Sequence, residues 1–224
     1  MPSMTIMLYR VQLALLVALA APSCAGGQKE PEAAPPPKDH PVTILPTSQI
    51  SGQTVAILPI TMVVADPALA ADSAYAAYRD HRAALAQADS VITEAITSRA
   101  PEVSWVPPRE LRKIARRSAG YITDPDQMGQ AVLRGSKVTT VPDPLRSSLR
   151  SLMAVANGRL ALVPASLGFG REPGRGIRAD LTLVLADSRS GKVVWRSLAL
   201  GRGNTPDEAV SQAIAAVLPF GAGQ

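Results

Sequence analysis

The chain of 224 residues carries a formal charge of +5, one cysteine, two histidines and only 4% aromatic residues. A single cysteine excludes a disulfide framework, and so few cysteines and histidines argue against a zinc centre. Alanine, valine and leucine are abundant, so the core is expected to be aliphatic.

The first predicted element is a leader. Arg10 precedes an apolar run over residues 11–21, and small residues follow. That order describes a secretory signal peptide. Cys24 stands at its exit. The residues Ala21-Pro22-Ser23-Cys24 resemble the lipobox of bacterial lipoproteins, whose cysteine is acylated and becomes the new amino terminus. Ser23 matches that pattern, whereas Ala21 and Pro22 stand where it prefers leucine and a small residue. The resemblance implies a lipoprotein signal peptide over 1–23 and palmitate-type lipidation of Cys24. It also implies placement in the outer membrane, facing the periplasm, because Ala25 rather than an aspartate follows the cysteine. Two other routes are open. Ala18-Leu19-Ala20 is an ordinary signal-peptidase site, and its use gives a soluble periplasmic or secreted protein. An uncleaved leader would be a membrane anchor, but spanning needs about 20 apolar residues and this run has roughly half that. Met4 and Met7 are alternative starts.

Residues 24–53 form a Pro- and Ala-rich linker, with Ala33-Ala34-Pro35-Pro36-Pro37-Lys38 at its centre. Such a segment cannot bury a core. In polyproline conformation, at about 3.1 Å per residue, it reaches roughly 90 Å at most.

The domain is expected over 54–220, with a tail at 221–224. Residues 54–60 are apolar β-formers and read as a strand buried on both faces. The Ala-rich sequence from Asp66-Pro67 to Arg99 follows. Tyr78, Leu85 and Ile92 recur every seven residues there, with Ala88, Ala95 and Ile96 beside them, which is one face of a long helix. A second strand covers 103–106. Residues 108–119 read as a basic amphipathic helix. Leu111, Ile114 and Ala115 point inward, and Arg109, Arg112, Lys113, Arg116 and Arg117 outward. Asp66-Pro67, Asp124-Pro125, Asp143-Pro144 and Thr205-Pro206 each place a capping residue before a proline, so each reads as a helix start. That pattern explains Asp124 and Asp126 without a metal.

In the last third, 159–169 is a strand interrupted or edged by Pro164. Residues 177–186 are another, and 187–191 form a turn closed by Gly191. Residues 192–200 return as its partner, and 205–218 form the closing helix, with Val210, Ile214 and Val217 inward. Strands and helices in this order make an α/β domain with a mixed β-sheet flanked by helices.

This order resembles a superfamily of bacterial envelope proteins that includes the amino-terminal domain of TolB, LpoB and CsgG. The carrying residues are Val55-Ala56-Ile57-Leu58-Pro59, the hairpin over 183–195, and Thr205-Pro206-Asp207-Glu208-Ala209. The resemblance covers about residues 54–220. It implies a non-enzymatic adaptor that is lipid-tethered and docks a partner or assembles into rings. It transfers no catalytic residue. No second apolar segment suits a transmembrane hairpin, and 121–140 has no counterpart in that pattern.

Functional constellations are sparse. A Ser-His-Asp triad would have to use His81, with no activated serine to mark it. The glycines of 168–176 join two strands and fit neither the Walker nor the dinucleotide pattern. They read as a hairpin loop, or else as an anion-binding loop with Arg171, Arg175 and Arg178 as donors. Trp105 and Trp195 suit core packing or interface anchoring. Thirteen of the 23 Lys and Arg residues fall between Arg109 and Arg178. That patch reads as a solvated helix face, or else, in an exported chain, as a surface for an envelope protein or an anionic envelope polymer rather than nucleic acid. The expected function is therefore a lipid-anchored periplasmic binding protein, with no enzyme activity and no cofactor. Self-assembly into a structural or secretion-associated scaffold is the second reading, and a secreted hydrolase the third.

Overall fold

The structure, a computed structural model, describes residues 42–220. The leader over 1–23, Cys24, the linker as far as residue 41 and the tail over 221–224 lie outside the described residues.

Six strands make one mixed sheet: β1 (Thr54–Ile57), β2 (Val63–Ala65), β3 (Ser104–Val106), β4 (Leu160–Glu172), β5 (Gly176–Asp187) and β6 (Val193–Gly203). Their order is β3-β1-β4-β5-β6, with β2 joined to β4. β1 runs parallel to β3 and β4, and β4, β5 and β6 form an antiparallel meander. The helices are α1 (Thr47–Ile50), α2 (His81–Arg99), α3 (Pro108–Arg117), α4 (Leu145–Val155) and α5 (Pro206–Val217). This is the expected α/β domain, a mixed sheet flanked by helices.

Two cores sit on the two faces of the sheet. Val55 and Ile57 join the core under α2 and α5. Ala56 and Leu58 join the core under α3 and α4. β1 is covered on both sides, which is why its sequence runs apolar without alternating. Pro164 sits at a register shift against β5. It also falls between the stretch of β4 paired with β1 and the stretch paired with β2. A residue with no N–H is tolerated in a central strand at such a gap.

The hairpin turn is held by one carboxylate. Asp187 accepts from the N–H groups of Arg189 and Ser190 and from the Arg159 guanidinium. The Arg159 bond and those N–H groups hold its pKa down at about 2. A depressed carboxyl adds stability above its unfolded pKa and loses it as pH falls through the folded one. Asp187→Ala should therefore cost about 2 kcal/mol at neutral pH. The deficit should fade between about pH 4 and pH 2. Urea unfolding across that range checks both points, and a deficit that persists at pH 2 would refute the assignment.

α5 starts as its sequence predicts: Thr205 Oγ1 accepts from Glu208 N, and Glu208 accepts from Asn204 N. Val210, Ile214 and Val217 are fully buried. Asp207, in its first turn, accepts from Tyr78 and Gln87 and so ties α5 to the neighbourhood of α2.

Three features differ from the sequence reading, and the stretch it left without a counterpart takes shape. Residues 42–53, expected in the linker, pack on the domain: Leu45 and Ile50 are buried, and Leu45 N donates to Val217 O. Their partners, Glu102 and Ser104 in mid-chain and Trp195, Ser197 and Val217 near its end, are out of reach of local pattern. The long helix begins at His81, capped by Asp80. Before it, Asp66 and Asp72 cap separate 3-10 turns, the second of which carries Tyr78. Asp143 does not cap α4. Pro144 takes the N-cap position, and Asp143 accepts from Ser147 Oγ. Within 121–140, short 3-10 turns bring Met128 and Leu133 over the α3–α4 core.

Candidate functional site

α3 is built as its sequence dictates. Pro108 opens it, Glu110 lies in the first turn, and Arg116 and Arg117 in the last, matching the helix dipole. Leu111 and Ala115 are buried. Arg109, Lys113, Arg116 and Arg117 are exposed. Lys113 Nζ lies 2.8 Å from Glu110 Oε1, and Arg109 Nε 3.8 Å. The Lys113 hydrogen bond holds the Glu110 carboxyl below its usual range, aided by the Arg109 and Arg117 charges. Arg116 has no side-chain ion pair among the described residues.

Arg112 is the exception. Expected outward, it turns toward α2 instead. Its Nη2 donates to Asp89 Oδ2 and Asp126 Oδ1, each at 2.6 Å, and its Nε donates to Asp126 Oδ2 at 2.8 Å. Asp89 Oδ1 accepts from Ile60 N at 2.7 Å. Asp89 is thus a buried carboxylate shared between the end of β1 and α3. Burial pushes its pKa up, against the pull of the Ile60 N–H and of Arg112. Sequence reasoning passed over Asp89. Its signal was an aspartate on the apolar stripe of α2, four residues after Leu85 and three before Ile92.

Beside this brace runs a groove of about 700 Å³ between α2 and α3. Thr93 and Thr97 line one wall, Trp105, Pro107 and Arg109 the other. Trp105 is half-buried there, and its Nε1 donates to Ala100 O. Trp195 is buried in the core, and its Nε1 donates to Ile44 O.

The second expected patch is largely committed to internal pairs. Gly168 and Gly170 lie within β4, so 168–176 is strand and short turn rather than a phosphate loop. Arg171 pairs with Asp72. Arg178 pairs with Glu172 at 3.3 Å and Asp180 at 3.0 Å. Of the three expected donors, Arg175 alone has no side-chain partner among the described residues. The patches are also far apart. α3 covers the stretch where β1 meets Leu162, and the β4–β5 turn begins eleven residues further along β4. At about 3.3 Å per residue that is roughly 35 Å.

Among the described residues, chemistry-bearing side chains do not converge. His81 is the exposed first residue of α2. Asp124 caps a 3-10 turn, and Asp126 braces Arg112. Among the described residues no group of three or more His, Cys, Asp or Glu side chains is placed to hold a metal. No described helix is long and apolar enough to cross a membrane.

Neither protein-family models nor curated proteins match this chain. Among solved structures, it is similar to the C-terminal domain of LpoB from Escherichia coli, at 12% identity and a TM-score of 0.40 over 67% of this chain and 83% of that one. It is similar to the PelC dodecamer from Paraburkholderia phytofirmans, at 15% identity and 0.35 over 80% and 91%. A lipoprotein from Neisseria meningitidis matches at 14% identity and 0.33 over 67% and 81%.

Proposed function

We propose that this chain is a lipid-anchored, non-enzymatic docking protein of the bacterial cell envelope. Cys24 grips the membrane, and the domain binds another envelope component. The observation that carries this reading is α3. It presents Arg109, Arg116 and Arg117 to solvent, with Arg109 at the wall of the α2–α3 groove, while Arg112 is occupied by Asp89 and Asp126. A basic helix face on which Arg116 and Arg117 have no side-chain ion pair among the described residues suits an acidic protein surface. Tethering raises the local concentration of such a surface without further contacts.

Two measurements test it. A photo-crosslinker at position 116 should capture one envelope component in cells. Arg116→Glu with Arg117→Glu should lower that capture about tenfold or more, with the melting temperature unchanged. Undiminished capture refutes the surface. The amino-terminal peptide of membrane-extracted protein should carry a diacyl or triacyl mass on Cys24. A peptide starting at Ala21 with a free thiol refutes the anchor.

A further inference from the structure

One end of the domain is defined by the starts of β1, β4 and β6. Val55 pairs with Leu160, Leu160 with Asp187, and Asp187 N donates across the turn to Lys192 O. The last turns of α2 and α5 meet there as well, where Arg99 Nη1 donates to Leu218 O. The chain comes into the domain at this same end. Thr43 N donates to Ser197 Oγ, Trp195 Nε1 to Ile44 O, and Leu45 N to Val217 O.

This end combines uncommitted positive charge with exposed apolar groups. The Arg189 side chain has no partner among the described residues, and Arg150 donates only to the Arg189 carbonyl, at 3.2 Å. Arg159 pairs with Asp187 yet keeps 59% of its side chain exposed. Arg150, Arg159 and Arg189 line a groove of about 550 Å³. Lys192 is exposed on the turn beside it. Nearby, Ile44 and Val155 are each 52% exposed, and Phe220 71%. The carboxylates around this end are Asp187, committed to Arg159, with Glu102 and Asp143 at its margins.

We infer that this end of the domain docks on anionic phospholipid head groups. Arg150, Arg159, Arg189 and Lys192 meet the phosphates, and Ile44, Val155 and Phe220 enter the head-group layer. The inference rests on the anchor at Cys24. Only residues 25–41 separate that cysteine from the first described residue. Even fully extended, at about 3.3–3.6 Å per residue, they hold the membrane within roughly 60 Å of this end. A short leash joins this end, rather than the α3 face, to the lipid surface. Basic and apolar side chains together are what an interfacial surface requires.

Flotation tests it on the chain from residue 24 onward, carrying Cys24→Ser and therefore no acyl group. It should float with vesicles of mixed phosphatidylglycerol and phosphatidylcholine at low salt, and not with phosphatidylcholine alone. Each arginine near an anionic surface contributes about fivefold, so Arg150→Glu with Arg189→Glu should cut partitioning at least about 25-fold. Arg116→Glu with Arg117→Glu should leave it unchanged. High salt on the unaltered chain should also release it, which covers the case of a variant that folds poorly. No preference for anionic vesicles overturns the inference. So does a loss seen with the α3 variant but not with the Arg150 and Arg189 variant. Because this chain lacks the acyl group, flotation reports on the surface, while the peptide mass on Cys24 reports on the anchor.

Discussion

Gly201→Ala should destabilise the domain by about 3 kcal/mol or more, the upper range for forcing atoms into a packed site. Gly201 lies in β6, where α5 crosses the sheet. A Cβ there would sit 1.9 Å from Ala209 O and 2.3 Å from Ala213 N. Both are backbone atoms of α5, so no side-chain rotation relieves the clash. The helix would have to lift, taking Val210, Ile214 and Val217 partly out of the core they fill. For a domain of this size, such a loss lowers the melting temperature by roughly 6–12 °C. Gly168→Ala is the control. Its Cβ would meet Asp180 Cβ at 3.7 Å, an ordinary contact. Equal melting of the two variants would contradict the close α5–β6 crossing.

Arg112→Met should cost about 3 kcal/mol at neutral pH, because it leaves Asp89 a buried charge without its counter-ion. The figure is at the low end of the usual range since Arg112 keeps 30% of its side chain exposed, against 8% for Asp89. The pH dependence follows from Asp89. Burial raises its pKa in the folded state, so the protonated form folds more readily than the charged one. A raised carboxyl favours folding below its unfolded pKa and loses that advantage as pH rises through the folded value. Without Arg112 the folded value climbs further. The deficit of the variant should be small near pH 4 and largest above neutrality. Adding Asp89→Asn should restore most of the loss, since the amide oxygen still accepts from Ile60 N and no charge remains. Urea unfolding of the two single variants and the double variant forms the cycle. Additive losses, or a deficit that grows toward acid, would refute the brace.

Parts of this fold were legible because their signals are local. β1 announced itself as an unbroken apolar run, the β5–β6 turn through Asp187 and Gly191, and α5 through Thr205, Pro206 and Glu208. The candidate surface was only half legible. Arg112 and Arg116 are one helical turn apart and read alike in sequence. Asp89, on another helix, and Asp126, on another turn, draw the first inward and leave the second in water. Arg171 likewise looked free until the fold delivered Asp72 to it. Residues 42–53 read as linker because they continue a Pro-rich stretch, and the short apolar run over 42–45 ends at Pro46 before it sets a strand or helix period. What buries them includes α5 and Trp195, segments that the local composition of 42–53 cannot anticipate.

The position of β4 in the sheet has a consequence in time. β1 ends at Ile57, and its long neighbour β4 does not begin until Leu160. Ribosomes add about 5–20 residues per second, so β1 waits on the order of 5–20 seconds for that strand. β6 and α5, which close the larger core, are made last of all. Until they emerge, neither the meander nor the larger core can close. A nascent chain in that state holds its early apolar strand without its long neighbour for the whole interval, so late synthesis rather than local propensity sets when this domain becomes compact.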